Sequence, residues 1–302
     1  WAVVGFLISW TLSNVAAGVN LPAYFAMLAK CIPPEARGGL FGWGGAVSGI
    51  VGVAAAESAG VVLASLAFPG NFALLFTAAA VILTASVVPL LWTREPPDPI
   101  AGEHRSVKQY LADAIRSAGG DREYAWAVAA IAALSFALAA ASFYSTYAVR
   151  ELGAGTRDVA RFTAITLGAS VVGMPLLGRI ADRRGHKLSL EITAICFAVA
   201  AALALFAGSV ESVYAVVLFS GIGMSGISVS QNLLLSEFAP THADVPMYIA
   251  FSWLILAPFR TGAPIVAGLV SDLASFHAMF WIALVAAALS LAVLVIAVRE
   301  PR

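Results

Sequence analysis

Nine apolar runs of about 20 residues each constrain this chain more than anything else in it. They lie at roughly 6–28, 39–64, 72–92, 124–149, 158–178, 188–207, 213–235, 247–270 and 279–298. A helix of that length crosses a hydrocarbon layer about 30 Å thick. Composition leaves few other solvents for such runs. The 302 residues are 61% hydrophobic and only 11% charged, where a soluble domain carries about 25% charge. A soluble fold has no way to bury that much apolar surface while covering itself with polar groups. The expected class is therefore an all-α integral membrane protein.

Several function classes drop out. The formal net charge is zero, so nothing favours a nucleic-acid partner. The chain has no GxxxxGK[ST] loop to cradle phosphates, which argues against an ATP-driven pump encoded here. HExxH, CxxC and GxSxG are also absent. No run carries a nucleophile–base pair or a metal-ligand cluster, so neither an enzyme nor a cofactor is expected. Cys31 and Cys196 read as two unpaired small apolar residues.

One connector is long. Residues 93–123 open with Thr93-Arg94-Glu95-Pro96-Pro97 and divide the runs into three and then six. The expected organisation is a three-span part over 1–92, a central loop over 93–123 and a six-span part over 124–302. Within the loop, Val107, Tyr110, Leu111, Ala114 and Ile115 recur at helical spacing opposite Lys108, Gln109, Asp113 and Arg116. That pattern predicts an amphipathic helix over Ser106–Ala118.

Loop charges set the orientation. Thirteen Lys and Arg fall in one alternating set of loops and termini, and two, Arg150 and Arg157, in the other. The positive-inside rule makes the first set cytoplasmic, with the C-terminus inside. The expected location is the cell membrane, as a monomer in the bilayer. An offset near 207 superposes Leu28–Ala36 on Leu235–Ala243, and Arg94-Glu95-Pro96 falls on Arg299-Glu300-Pro301 at a shift of 205. Such a repeat makes the first three spans equivalent to the last three.

The segment Gly178-Arg179-Ile180-Ala181-Asp182-Arg183-Arg184-Gly185-His186-Lys187 lies between two spans on the basic side. It resembles the GxxxD[RK]xG[RK][RK] loop of the major facilitator superfamily, with His186 departing from the first of the final basic pair. The resemblance implies nine helices of a twelve-helix, pseudo-symmetric fold, split three plus six. It also implies that three helices precede Trp1, which leads straight into an apolar run. In that family the loop latches the two halves on the cytoplasmic side. Gly178, Asp182, Arg183, Gly185 and Lys187 would form it. Asp182 is an anion suited to the N-terminus of a neighbouring helix; the second run, beginning near Arg37-Gly38-Gly39, is the candidate, and Arg37 is a further partner.

Charges inside spans mark function. Glu57 lies 18 residues from the cytoplasmic start of its run, about 27 Å, and Arg161 lies 17 residues from the cytoplasmic end of its own, about 26 Å. The family architecture packs these two helices together, so a Glu57–Arg161 pair is expected, and proton coupling would run through Glu57. Arg260, within Pro258-Phe259-Arg260-Thr261-Gly262-Ala263-Pro264, is read first as a structural or gating pair and second as a contact for an anionic substrate. The resemblance also implies cavity residues on the first, fourth and seventh runs: Asn14, Asn20, Tyr24, Tyr144, Tyr147, Gln231 and Asn232. Gly38, Gly42, Gly45, Gly49, Gly52, Ala56 and Gly60 form a small-residue stripe for close helix packing. The function expected is a permease, importer or efflux carrier, moving a small solute by alternating access. The alternative is a transporter-like receptor or scaffold that binds without translocating.

Overall fold

The computed structural model describes residues 2–95, 120–241 and 244–299. The amphipathic helix expected over 106–118 lies outside them. Every regular element among the described residues is helical. In chain order these are α1 (Ala2–Cys31), α2 (Pro34–Ser65), α3 (Gly70–Val87), a 3₁₀ turn (Val88–Trp92), α4 (Arg122–Ala141), α5 (Tyr144–Glu151), α6 (Thr156–Arg184), α7 (His186–Leu205), α8 (Val210–Glu237), α9 (Val245–Leu273) and α10 (Phe276–Ala297).

Helix starts follow local chemistry. Asp121 caps α4, accepting from the backbone N–H groups of Glu123 and Tyr124 at 3.0 and 3.1 Å. Ser275 caps α10 through Ala278 N–H at 3.1 Å. Each cap satisfies a donor that the helix itself leaves unpaired. Pro33-Pro34 stops α1 and starts α2, since proline lacks an N–H but fits the first helical turn.

Among the described residues, eight spans are long and apolar enough to cross a membrane, with α4 and α5 counted together. The ninth expected run falls in α2, a helix of 32 residues. At 1.5 Å per residue it is about 48 Å long. It is not among the eight, and several of its side chains lie outside the described set. The fourth run is one span in two pieces. Ser142 and Phe143 bond back only three residues, to Ala139 and Ala140, and this tightened turn separates α4 from α5.

The core lies in α4–α10. One apolar cluster joins Tyr144, Tyr147, Phe162, Phe276 and Phe280 near one end of the bundle. A second joins Tyr124, Leu190, Leu234, Leu235, Tyr248 and Leu294 near the other. Two buried tyrosines have hydroxyl partners: Tyr147 donates to the Ala207 carbonyl and Tyr124 to that of Tyr248, both at 2.6 Å; the buried Tyr144 hydroxyl has none among the described residues. The first three helices join this body mainly through α2 on α6 and α1 on α9. Most of their large apolar side chains, among them Phe6, Trp10, Phe76 and Ile82, face outward. Such a surface suits hydrocarbon, where Leu and Phe meet a solvent as apolar as themselves.

Candidate functional site: a latched helix end below a hydroxyl-lined cavity

The basic segment forms less loop than its sequence predicts. Helix α6 continues through Arg184 and α7 begins at His186. Only Gly185 interrupts them, at φ 96° and ψ 157°. That region is open essentially to glycine alone, so a single residue makes the whole turn. The Gly185 N–H bonds the Ala181 carbonyl at 2.8 Å and closes α6.

Closing α6 in this way carries Asp182 on its last turn, against the start of α2. Its Oδ1 accepts from Gly38 N–H at 2.7 Å and its Oδ2 from Gly39 N–H at 2.6 Å. One carboxylate thus grips two successive amides near the positive end of a helix dipole. Arg37, buried, donates from Nε to the Ile32 carbonyl at 2.9 Å across the α1–α2 corner. Lys187 lies 3.5 Å from Glu191 on α7. His186 is fully buried, with Nδ1 3.3 Å from Ser230 Oγ and Nε2 3.8 Å from Glu237. Glu237 was not singled out from sequence, and His186 entered there as the departure from the motif's basic pair, without a partner.

Glycines let α2 and α6 approach. A Cβ on Gly38 would meet the Gly178 carbonyl oxygen at 2.6 Å, and one on Gly42 would meet that of Met174 at 2.6 Å. Cβ atoms on Gly45 and Gly49 would collide with the side chains of Met174 and Val171. One step farther along the same stripe there is room. A Cβ on Gly52 would meet nothing within 4 Å, and neither would one on Gly168 of α6. Close approach of the two helices runs from the Asp182 end to Gly49 and Val171, with open space beside Gly52 and Gly168. Helix α1 closes the same end, where Phe25 and Leu28 pack with Leu233, Val245 and Ile249.

Above this closed end lies a cavity of about 570 Å³ between α4, α5, α6, α8 and α9. Ser135, Ser142, Ser145, Thr163, Thr166 and Ser220 contribute hydroxyls to its wall, Leu138, Leu167, Val217, Met224 and Ile227 contribute apolar surface, and Arg260 contributes the one charge among the described lining residues. Ser142 and Ser145 reach it from the broken turn between α4 and α5. Nη2 of Arg260 donates to Gln231 Oε1 at 2.7 Å. Its guanidinium stands 4.4 Å over the ring of Trp253, whose Nε1 donates to Asn232 Oδ1 at 3.1 Å. Trp253 lies seven residues, about two turns, before Arg260, so the side chain points back toward the closed end, as helical side chains do.

The remaining sequence candidates are dispersed. Tyr144 and Tyr147 are buried in the apolar cluster rather than on the cavity wall. Asn14 is exposed and donates to the Trp10 carbonyl of its own helix at 2.8 Å. Asn20 is exposed on α1, and Tyr24 packs edge-on against Phe25. Gln231 and Asn232 reach the cavity only through Arg260 and Trp253. The Glu57 side chain lies outside the described set. Arg161 is exposed, 3.7 Å from Asp158 one turn away. Asp158 in turn accepts from Tyr214 Oη at 3.2 Å and from Gly155 N–H at 3.0 Å. Arg183 ends α6 beside Arg184. The wall hydroxyls escaped sequence reading because serine and threonine are common in membrane helices, where they bond their own backbone.

Long apolar helices around a cavity whose largely apolar wall carries hydroxyls and an arginine are what a multi-pass membrane transporter requires. A family model described as Major Facilitator Superfamily matches residues 1–255. The chain belongs to that superfamily, whose members move small molecules across membranes. No curated protein matches it significantly.

Proposed function

We propose that this protein carries a small solute across the membrane by alternating access, with the described form closed at the Asp182 end. The observation that carries this reading is the asymmetry of the α2–α6 contact. The helices are locked by Asp182 and the glycine stripe at one end and have open space beside Gly52 and Gly168 beyond it, with the cavity on that side. Opening the latch while closing the far end would present the cavity to the opposite face. The thirteen-to-two distribution of Lys and Arg makes the latched end cytoplasmic and the C-terminus internal. The form described is then the outward-facing one, in a cell membrane.

Proton coupling falls to Glu57, through charge exchange with Arg161 as the helices move. Replacing Glu57 by Arg and Arg161 by Glu together should restore a transport defect that either change causes alone.

The test of the main reading is solute exchange. Full-length protein in proteoliposomes is loaded with a candidate solute and challenged with labelled solute outside. Saturable accumulation that Asp182→Asn slows supports alternating access. Saturable binding without accumulation supports the receptor reading instead.

A further inference from the structure

We infer that Arg260 is a carboxylate-recognition site, and that the solute is a small hydroxylated organic acid; this rests on the transport reading above. Among the described residues no carboxylate lies within ion-pair distance of Arg260. Its contacts are neutral: the Gln231 amide oxygen at 2.7 Å and the Trp253 ring at 4.4 Å. A partly buried guanidinium held only by neutral partners keeps an uncompensated charge. Its fork also retains N–H donors beyond the one spent on Gln231, in the geometry that fits a carboxylate. Among the described residues no Asp or Glu lines the cavity. The field inside is therefore positive, and an anion is the ligand it favours.

The wall chooses what the anion is attached to. Ser135, Thr163 and Thr166 already donate to carbonyls of their own helices, at 3.2, 3.1 and 2.9 Å. Their oxygens remain available as acceptors and ask the solute for donors. Hydroxyl groups supply such donors without adding charge. An ammonium group would also donate, but among the described residues no lining carboxylate would compensate it. Leu138, Leu167 and Met224 offer apolar surface to a carbon skeleton, which a bare inorganic anion would leave unused. Trp253 and Gln231 hold the guanidinium from below, on the latched side. A bound carboxylate would therefore sit against the layer that must open for release.

The experiment uses full-length protein in nanodiscs, with tryptophan fluorescence as the readout and Trp253→Phe to identify the responding ring among the seven tryptophans. The probes are gluconate, gluconamide, hexanoate and inorganic phosphate. Gluconate should give a saturable change that Trp253→Phe removes. Gluconamide should bind on the order of 30-fold more weakly, the loss expected for a charge-assisted contact of about 2 kcal/mol. Hexanoate should fall between them. Arg260→Gln should abolish the preference for gluconate over gluconamide. Arg260→Lys, which keeps the charge, should preserve it even if the glutamine variant misfolds. Equal binding of gluconate and gluconamide overturns the site. Phosphate binding as tightly as gluconate overturns the organic-acid assignment. The two readings fail separately. Saturable gluconate binding with no exchange in proteoliposomes sinks transport and leaves the site standing. Exchange of a neutral solute without carboxylate binding does the reverse.

Discussion

Replacing Asp182 by asparagine should loosen one end of the bundle by a calculable amount. The aspartate oxygens take one backbone N–H each, from Gly38 at 2.7 Å and Gly39 at 2.6 Å. Asparagine keeps one acceptor and turns an NH₂ group toward the other amide, so one charge-assisted bond becomes a donor–donor contact. That bond contributes about 1.5–3 kcal/mol, and loss of the anion from the helix terminus adds about 0.3–1 kcal/mol. A partly exposed site loses some of this to water, which leaves about 2–3 kcal/mol. At 1.4 kcal/mol per decade the open fraction should rise roughly 30- to 150-fold. A cysteine at Ala46, which is buried and follows the contact glycine Gly45, reports that opening by its alkylation rate, with Cys31 and Cys196 replaced by alanine. An alkylation rate in Asp182→Asn within threefold of the parent would refute the latch, since the two bonds would then hold nothing closed.

Two further outcomes follow from the same geometry. Gly178→Ala places a methyl group against the Gly38 carbonyl oxygen and 3.3 Å from the Gly42 Cα, so it should raise Ala46→Cys alkylation at least as much; Gly52→Ala, with nothing within 4 Å, should leave it unchanged. Gly185→Ala forces a side chain into a backbone region at φ 96° that costs about 1–3 kcal/mol, and should lower the thermal unfolding temperature measured in detergent without altering gluconate affinity.

Much of the architecture was legible in the chain. Apolar runs of membrane length and the Gly178–Lys187 motif suffice for a helical membrane transporter of this superfamily, because a bilayer permits few backbone solutions. The placement of Asp182 against Gly38 and Gly39 was also within reach, since an anion beside a helix start and a glycine stripe are local chemical facts. Asn14, Asn20, Tyr24, Tyr144 and Tyr147 show where such reading stops. Polarity on a helix said to line a cavity does not reveal which face turns inward. Tyr144 and Tyr147 are aromatic enough to be drawn into the Phe276–Phe280 cluster, while the plainer Ser142 and Ser145 reach the cavity at the break between α4 and α5.

The sequence by itself determined the apolar helices, the family and the presence of charged residues within apolar runs, all set by composition, run length and short motifs. Only the tertiary structure decided what those charges and stripes touch. It set Arg260 over Trp253 and beside Gln231, and it brought the glycines from Gly38 to Gly49 against α6 while leaving open space beside Gly52. Both depend on the angle and rotation of one helix against another, which arise from the packing of all the helices together and are written in no single segment.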